Sequence, residues 1–332
     1  MKKSFFLISI LLFGIVAQAL YSHDDKQHNN TLMNNSLIWE GNKYAAFTSL
    51  ILHEGFFYCA FREANMHADL SGADIGRIVI LKSKDGVDWE KFRVAHVDGF
   101  DLRDPQLFTN SDKHLILLVE KVKYVNREAI VRESCFIDLT DNPEQIILSP
   151  IRFENNIGWN WLWNVNLIND TIYGFTYAPY FAFYKSVDGK QFQHVSTPNL
   201  VNQPTESAII DLSENTFLAV VRQSDFAAIG TSYDNGKTWR WKQSSHRLEC
   251  PKMIHYKRNV LLVARNTDRQ SHTSIYMYNS KTNDFDVIFD LPDSGDCSYP
   301  GIVEKNGYLY ISYYHSKSET HSDIYIAKVK ID

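Results

Sequence analysis

Ser232-Tyr233-Asp234-Asn235-Gly236-Lys237-Thr238-Trp239 lies between a short apolar run, Ala227 to Thr231, and an aromatic, strand-like segment. Asp-Asn-Gly is hairpin chemistry, because Asn and Gly accept the positive φ that a tight turn requires. Ser232 and Asp234, at i and i+2, can bond the loop's own backbone groups, so the loop holds its shape unaided. Trp239 is placed to plug a small core beneath the turn. The pattern recurs. Ser83-Lys84-Asp85-Gly86-Val87-Asp88-Trp89 repeats it with one residue missing, and Ser186-Val187-Asp188-Gly189-Lys190-Gln191-Phe192 carries Phe in the Trp place. The three serines are 103 and 46 residues apart, so the larger gap holds about two periods. A hairpin returning every ~50 residues predicts a radial array of small sheets.

The intervening sequence agrees. Phe56 to Phe61, Arg77 to Leu81, His114 to Val119, Thr171 to Phe175, Phe217 to Val221, Val260 to Val263 and Tyr308 to Tyr313 are runs of strand length, rich in Val, Ile, Tyr and Phe. Turn signals separate them, and no long amphipathic helix intervenes. The expectation is an all-β, six-bladed β-propeller of four-stranded antiparallel blades, one domain over 37–332. A strand near Ser36 to Trp39 would complete the last blade beside Ile324 to Ile331 and hide the edges. Two β-sandwiches are the competing all-β arrangement, but they give no reason for the period.

Residues 1–19 read as a secretory signal: Lys2 and Lys3, an apolar run from Phe5 to Val16, then Ala17-Gln18-Ala19. The competing reading is a retained N-terminal anchor. Residues 20–36 are polar and expected to form a loose leader, so the location expected is secreted or periplasmic. The 332 residues are 44% hydrophobic with net charge −5, a globular composition without the concentrated Lys and Arg of a nucleic-acid or anionic-membrane surface. Cys59, Cys135, Cys250 and Cys297 are far apart with no CxxC spacing, which disfavours zinc. Cys59 reads as core. A Cys250–Cys297 disulfide is permitted by export but not fixed by anything in the sequence. No cofactor loop or metal cluster is expected.

Charged residues stand repeatedly at the ends of apolar strands. Arg62-Glu63 ends one, with His67 four residues after Glu63; Arg103-Asp104 follows Phe100 to Leu102; Arg222 and Arg265 each end a run. Singly, each reads as a surface or structural pair. Together, in different repeats, they can converge on one pocket. Trp159, Trp161 and Trp163 alternate and would share one strand face; at least two read as core, with Trp163 the choice for a ligand wall. Glu206 precedes the apolar strand Ala208 to Leu212. Tyr299 lies in Asp296-Cys297-Ser298-Tyr299-Pro300-Gly301, where Pro and Gly aim it away from the sheet. Beside arginines and a Glu, such a Tyr can become a phenolate nucleophile.

These features resemble the sialidase superfamily, six-bladed propellers with Asp-box repeats. Ser298 to Gly301 followed by Asn306-Gly307-Tyr308-Leu309-Tyr310 resembles the segment carrying that family's nucleophilic Tyr. Glu206 resembles the Glu that activates it, and Arg222 and Arg265 resemble two of the arginines that grip a substrate carboxylate. The corresponding start, Ala45-Ala46-Phe47-Thr48-Ser49-Leu50, lacks the family's first Arg. The general acid falls in the 63–75 loop, where His67, Asp69 and Asp74 are available, and Arg62 or Arg103 can replace the missing charge.

The resemblance implies an exo-acting glycoside hydrolase on a terminal, acidic sugar: Tyr299 and Glu206 catalytic, His67 or Asp69 as acid, and Arg62, Arg103, Asp104, Trp163, Arg222 and Arg265 binding substrate. The alternatives are a propeller lyase acting on a uronate, with His67 or Tyr299 as base, and a propeller that binds a glycan or protein without catalysis.

Overall fold

The computed structural model describes residues 30–73, 75–140, 146–155, 160–178 and 180–332. The signal-like 1–19, the leader as far as 29, Asp74 and Trp159 lie outside the described residues. Among the described residues there is no helix, and none that could cross a membrane.

The first blade is β2 (Tyr44–His53), β3 (Phe56–Ala64), β4 (Arg77–Ser83) and β5 (Glu90–Ala95). The second is β6 (Asp101–Thr109), β7 (Leu115–Val125), β8 (Glu128–Asp138) and β9 (Ser149–Pro150). The third is β11 (Trp161–Ile168), β12 (Thr171–Tyr177), β13 (Ala182–Ser186) and β14 (Gln191–Ser196), with β10 (Arg152–Phe153) added parallel to β14. The fourth is β15 (Ser207–Ser213), β16 (Thr216–Val221), β17 (Ala228–Ser232) and β18 (Arg240–Gln243). The fifth is β19 (Leu248–Tyr256), β20 (Asn259–Asn266), β21 (His272–Asn279) and β22 (Asp284–Asp290). The sixth is β23 (Cys297–Lys305), β24 (Tyr308–Ser318), β25 (His321–Lys330) and, from the other end of the chain, β1 (Thr31–Trp39).

These units form five hydrogen-bonded sheets, because a single parallel pair, Tyr44 with Ser322, fuses the first and sixth blades into one. Burial separates them again: six apolar clusters lie one at each junction between successive blades. On β20, Leu261 and Val263 face the sixth blade while Leu262 and Ala264 face the fourth. A strand buried on both faces reads as a continuous apolar run, which is why the inner strands show little alternation. As expected, Ser36 to Trp39 pairs with the last strand, Ser36 opposite Ile326 and Trp39 opposite Ile324. The strand begins earlier than expected, at Thr31, so 31–36 is an edge strand rather than leader; its polarity fits its largely open face.

The three Ser-x-Asp loops close as their chemistry requires. Ser232 Oγ accepts from Gly236 N–H (2.8 Å), and Asp234 Oδ1 accepts from Thr238 N–H (2.9 Å). Ser186 with Asp188 and Ser83 with Asp85 do the same. Backbone hydrogen bonds hold the carboxyls of Asp85 and Asp188 below the usual range, although for Asp188 burial opposes them, and Thr238 does so for Asp234. Trp239 stacks on Trp241 and meets Phe175 and Phe183, the expected local core. Each loop leans on the preceding blade, Gly86 on Tyr310, Gly189 on Phe108 and Gly236 on Phe183.

Candidate functional site

Four innermost strands carry the same irregularity at the same height. Two residues stand opposite one: Phe47-Thr48 opposite Phe61, Asp104-Pro105 opposite Val119, Cys250-Pro251 opposite Ala264, and Tyr299-Pro300 opposite Tyr313. The first residue of each bulge has positive φ: Phe47 61°, Asp104 45°, Cys250 46°, Tyr299 48°. Such a backbone costs roughly 1–3 kcal/mol per residue. Bulges re-aim side chains and concentrate beside functional sites. The second residue is Pro in three of the four, tolerated because a bulge leaves that N–H outside the ladder. On the partner strands, the residues paired just before these bulges are Arg62, Glu120, Arg265 and Tyr314. Arg222, which pairs its backbone with Glu206, is the fourth blade's counterpart. The ring symmetry thus gathers residues from five blades at one end of the axis.

At the centre, the Tyr299 hydroxyl donates to Glu206 Oε1 at 2.6 Å. Glu206 also accepts from Arg222 Nη1 (2.8 Å) and, on Oε2, from the Cys250 N–H (2.6 Å). Burial, and then the Glu206 charge, raise the Tyr299 pKa well above the ordinary phenol value. The phenol is therefore protonated at rest, with a carboxylate already receiving its hydrogen bond. Phe47 (centroid 4.7 Å), Trp163 (5.5 Å) and Tyr314 (6.0 Å) surround its ring.

Arg222 and Arg265 converge as expected, bridged by a carboxylate that sequence reasoning missed. Glu249 accepts from Arg222 Nη2 (2.8 Å) and Arg265 Nη1 (2.9 Å). Arg265 also donates to the Cys297 carbonyl (2.8 Å from Nε) and to the Tyr314 hydroxyl (2.9 Å), and its Nη2 is 3.4 Å from Asp296. Asp296 accepts from both Tyr44 (2.6 Å) and Tyr314.

Arg62 is placed differently from the expectation. It is wholly buried and forms a two-pronged ion pair with Asp101 (2.8 and 3.0 Å), so it holds the first blade to the second instead of facing a ligand. Arg103 shares Asp101 (3.0 Å), donates to the His67 carbonyl, and has its guanidinium 5.4 Å from the Phe47 ring. Within the arginine-less stretch Ala45 to Leu50, Phe47 is thus the residue that meets a guanidinium.

His67 reaches the site through Tyr44 (2.9 Å) and Phe47 (ring centroids 5.1 Å). The Tyr44 proton goes to Asp296, so its oxygen accepts from His67 Nδ1–H and leaves Nε2 as an acceptor. Desolvation against its neighbours, and then Arg103, lower the His67 pKa to about 4. Asp69 instead accepts the Ser71 N–H within its own loop (2.8 Å). Asp104 is buried; burial, partly offset by Arg103, raises its pKa to about 6. Trp161 stacks on Tyr177, whereas the bulge at Trp163 turns that ring to Tyr299.

Tyr299, Thr48, Trp163, Asn164, Cys250 and Lys252 line a small cavity of about 10 Å³, room for about one water. Lys252 donates to Asn164 (2.7 Å), and burial lowers its pKa to about 8. Cys59, Cys135, Cys250 and Cys297 are all buried free thiols, so the permitted Cys250–Cys297 disulfide is not formed. Among the described residues no group of His, Cys, Asp and Glu could hold a metal ion.

No family model and no curated protein matches the sequence. Solved structures do resemble the fold. A protein of unknown function from Dyadobacter fermentans superposes with TM-score 0.79 at 17% identity, over 91% of this chain and 99% of its own. NanB sialidase from Streptococcus pneumoniae (K499G mutant) gives 0.66 at 12%, over 89% and 70%. Trypanosoma rangeli sialidase in complex with the inhibitor DANA gives 0.64 at 12%, over 90% and 59%. At these identities the likeness concerns architecture: the chain has a sialidase-like β-propeller fold.

Proposed function

We propose that the protein is an exported glycoside hydrolase in which Tyr299 is the nucleophile and Glu206 its base. One observation carries this reading: the phenol–carboxylate hydrogen bond of 2.6 Å, set among aromatic rings at a strained bulge. The sialidase-like fold and the three Ser-x-Asp loops, read as Asp-boxes, support it, although fold alone never fixes chemistry.

In the first step Tyr299 Oη attacks the anomeric carbon as its proton passes to Glu206 Oε1. The glycosidic bond breaks, and the leaving oxygen takes a proton from a general acid. We assign that acid to Asp104, whose pKa of about 6 keeps a proton available in mildly acidic medium. His67, neutral and with Nε2 free only to accept, does not suit the role. In the second step Asp104 takes a proton from water, the oxygen attacks the anomeric carbon, and Tyr299 leaves and recovers its proton from Glu206. Glycosidases with a Tyr nucleophile are a recognised departure from the two-carboxylate arrangement. Arg222 fixes Glu206, and the buried rings of Trp163 and Phe47 hold the Tyr299 ring in place.

The test is trapping. A panel of activated 2-fluoroglycosyl fluorides should leave one sugar on the peptide containing Tyr299, seen by mass spectrometry, and none on the Tyr299→Phe protein. Turnover of any glycoside by Tyr299→Phe at the wild-type rate overturns the mechanism. For export, the N-terminus of the mature protein should be Leu20.

A further inference from the structure

We infer that the glycan end-group taken by this site carries no carboxylate: the substrate class is a neutral glycoside. The inference rests on the hydrolase reading for its chemistry, but its own basis is the distribution of charge around Tyr299.

Two ionic clusters flank the phenol. In one, Arg62 and Arg103 face Asp101 and Asp104. In the other, Arg222 and Arg265 face three carboxylates, Glu206, Glu249 and Asp296. With Asp104 protonated, as the mechanism requires, the first keeps one surplus positive charge, buried with Arg62 and Arg103 around Asp101, while the second, which touches Tyr299, carries one surplus negative charge. Both arginines nearest Tyr299 already lie within 3.0 Å of a carboxylate oxygen. A ligand carboxylate would have to displace Glu249 from them, or enter beside it. In a partly desolvated site either route is unfavourable, because like charges at short range repel strongly where water is excluded.

The positions not occupied by ions are aromatic. Phe47 holds its strained bulge directly over Tyr299 and is itself capped by the Arg103 guanidinium. Trp163 and Tyr314 complete the surround. Lys252 lines the small cavity beside Tyr299 and is turned to Asn164 and Gln106. The aromatic rings are buried and hold the phenol in place, whereas the partly exposed carboxylates Glu249 and Asp296 are acceptors suited to the hydroxyl donors of an uncharged sugar.

The experiment uses the whole protein on an immobilised panel of glycans ending in neutral hexoses, neutral deoxyhexoses, sialic acids or uronic acids. Released sugar is identified by mass spectrometry, and retention on the panel is measured with the Tyr299→Phe protein. The expected result is release of a neutral end-group, with any acidic end-group at least tenfold slower. Glu249→Gln, which frees Arg222 and Arg265 of the bridging charge, and, separately, Phe47→Arg should each raise retention on acidic relative to neutral glycans by about tenfold; the first guards against misfolding of the second.

Release of acidic end-groups alone overturns the inference and leaves the hydrolase standing. Retention on neutral glycans without release of any end-group supports the inference and overturns the hydrolase. Neither release nor retention overturns both.

Discussion

Tyr299 and Glu206 stand 93 residues apart in the chain, on the sixth and fourth blades, yet their side chains meet in a hydrogen bond of 2.6 Å. The fifth blade lies between them in sequence and supplies Cys250, whose N–H fixes the second carboxylate oxygen. The pair is therefore positioned by ring geometry and has no local sequence to itself.

Replacing Tyr299 by Phe removes the proposed nucleophile and keeps the aromatic contacts to Phe47 and Trp163. Turnover should fall by at least a thousandfold, in line with losses seen on removing catalytic nucleophiles. The unfolding midpoint should move by no more than a few degrees. Glu206→Gln should be nearly as inactive, and the double variant no worse than the worse single one, since the two act as a unit.

Arg62→Ala leaves the buried Asp101 with half of its guanidinium partners. Removing one member of a buried ion pair costs about 3–5 kcal/mol, so thermal unfolding should shift down by many degrees. Arg62→Lys should recover little, because a lysine cannot reproduce the two-pronged contact. If Arg62→Ala unfolds at the wild-type temperature, the pair is not structural.

Stability should respond to pH through two groups of opposite sign. The folded pKa of Asp104, about 6, lies above its unfolded value of about 4. Its stabilising contribution is complete below about pH 4 and lost as pH rises through 6. The folded pKa of His67, about 4, lies below its unfolded value of about 6.5. Its contribution is present above about 6.5 and lost as pH falls through 4. Relative to the wild type, the slope of urea midpoint against pH between 4.5 and 6.5 should therefore become more positive in Asp104→Asn and more negative in His67→Gln. Equal slopes in the two variants would refute the assignment.

The catalytic role proposed for Asp104 is separable from its effect on stability. The pH profile of kcat/KM should descend above about 6 in the wild type. Asp104→Asn should lose that limb, together with most of the rate. A limb that persists in Asp104→Asn places the acid elsewhere.

The loop glycines should rank by the space behind them. A Cβ on Gly236 would stand 2.0 Å from the Phe183 ring and on Gly86 2.9 Å from Tyr310, whereas on Gly189 the nearest atom is 3.4 Å away. All three have φ between 73° and 81°. Substitution by Ala should destabilise in the order Gly236, Gly86, Gly189, with the last costing only the backbone strain, about 1 kcal/mol. Chemical denaturation of the three variants tests the order.

The fold was legible because its signals are local. Ser232, Asp234, Gly236 and Trp239 bond one another within a few residues, and the Ser, Asp and Gly of the two copies do the same. The Tyr299–Glu206 pair and the Arg222–Arg265 convergence were readable as positions at strand ends. What escaped was whatever depends on distant parts of the chain: Tyr44 meets Asp296 across 252 residues, and Glu249 becomes a bridge only once the fourth and fifth blades stand side by side. Arg62 looked like a pocket residue because it ends a strand, and only the register shows Asp101 waiting for it. The bulges did leave a trace. Pro105, Pro251 and Pro300 each interrupt an inner strand, two residues after Arg103, Glu249 and Ser298 respectively, and a proline within a strand is a bulge signal.

The loops lean in one direction only, each on the blade before it, and side-chain bonds follow the same rule: Ser111 to the Val187 carbonyl, Ser196 to that of Gly236, and Lys305 to that of Lys84. The ring is thus shingled like a circular roof, and its last joint, Lys305 and Tyr310 under the loop of the first blade, is also where β1 clasps the end of the chain. No course can be lifted without exposing the one beneath. Trimming the chain past Trp39 should therefore loosen the whole circle at once, and the molecule should melt in one transition rather than blade by blade.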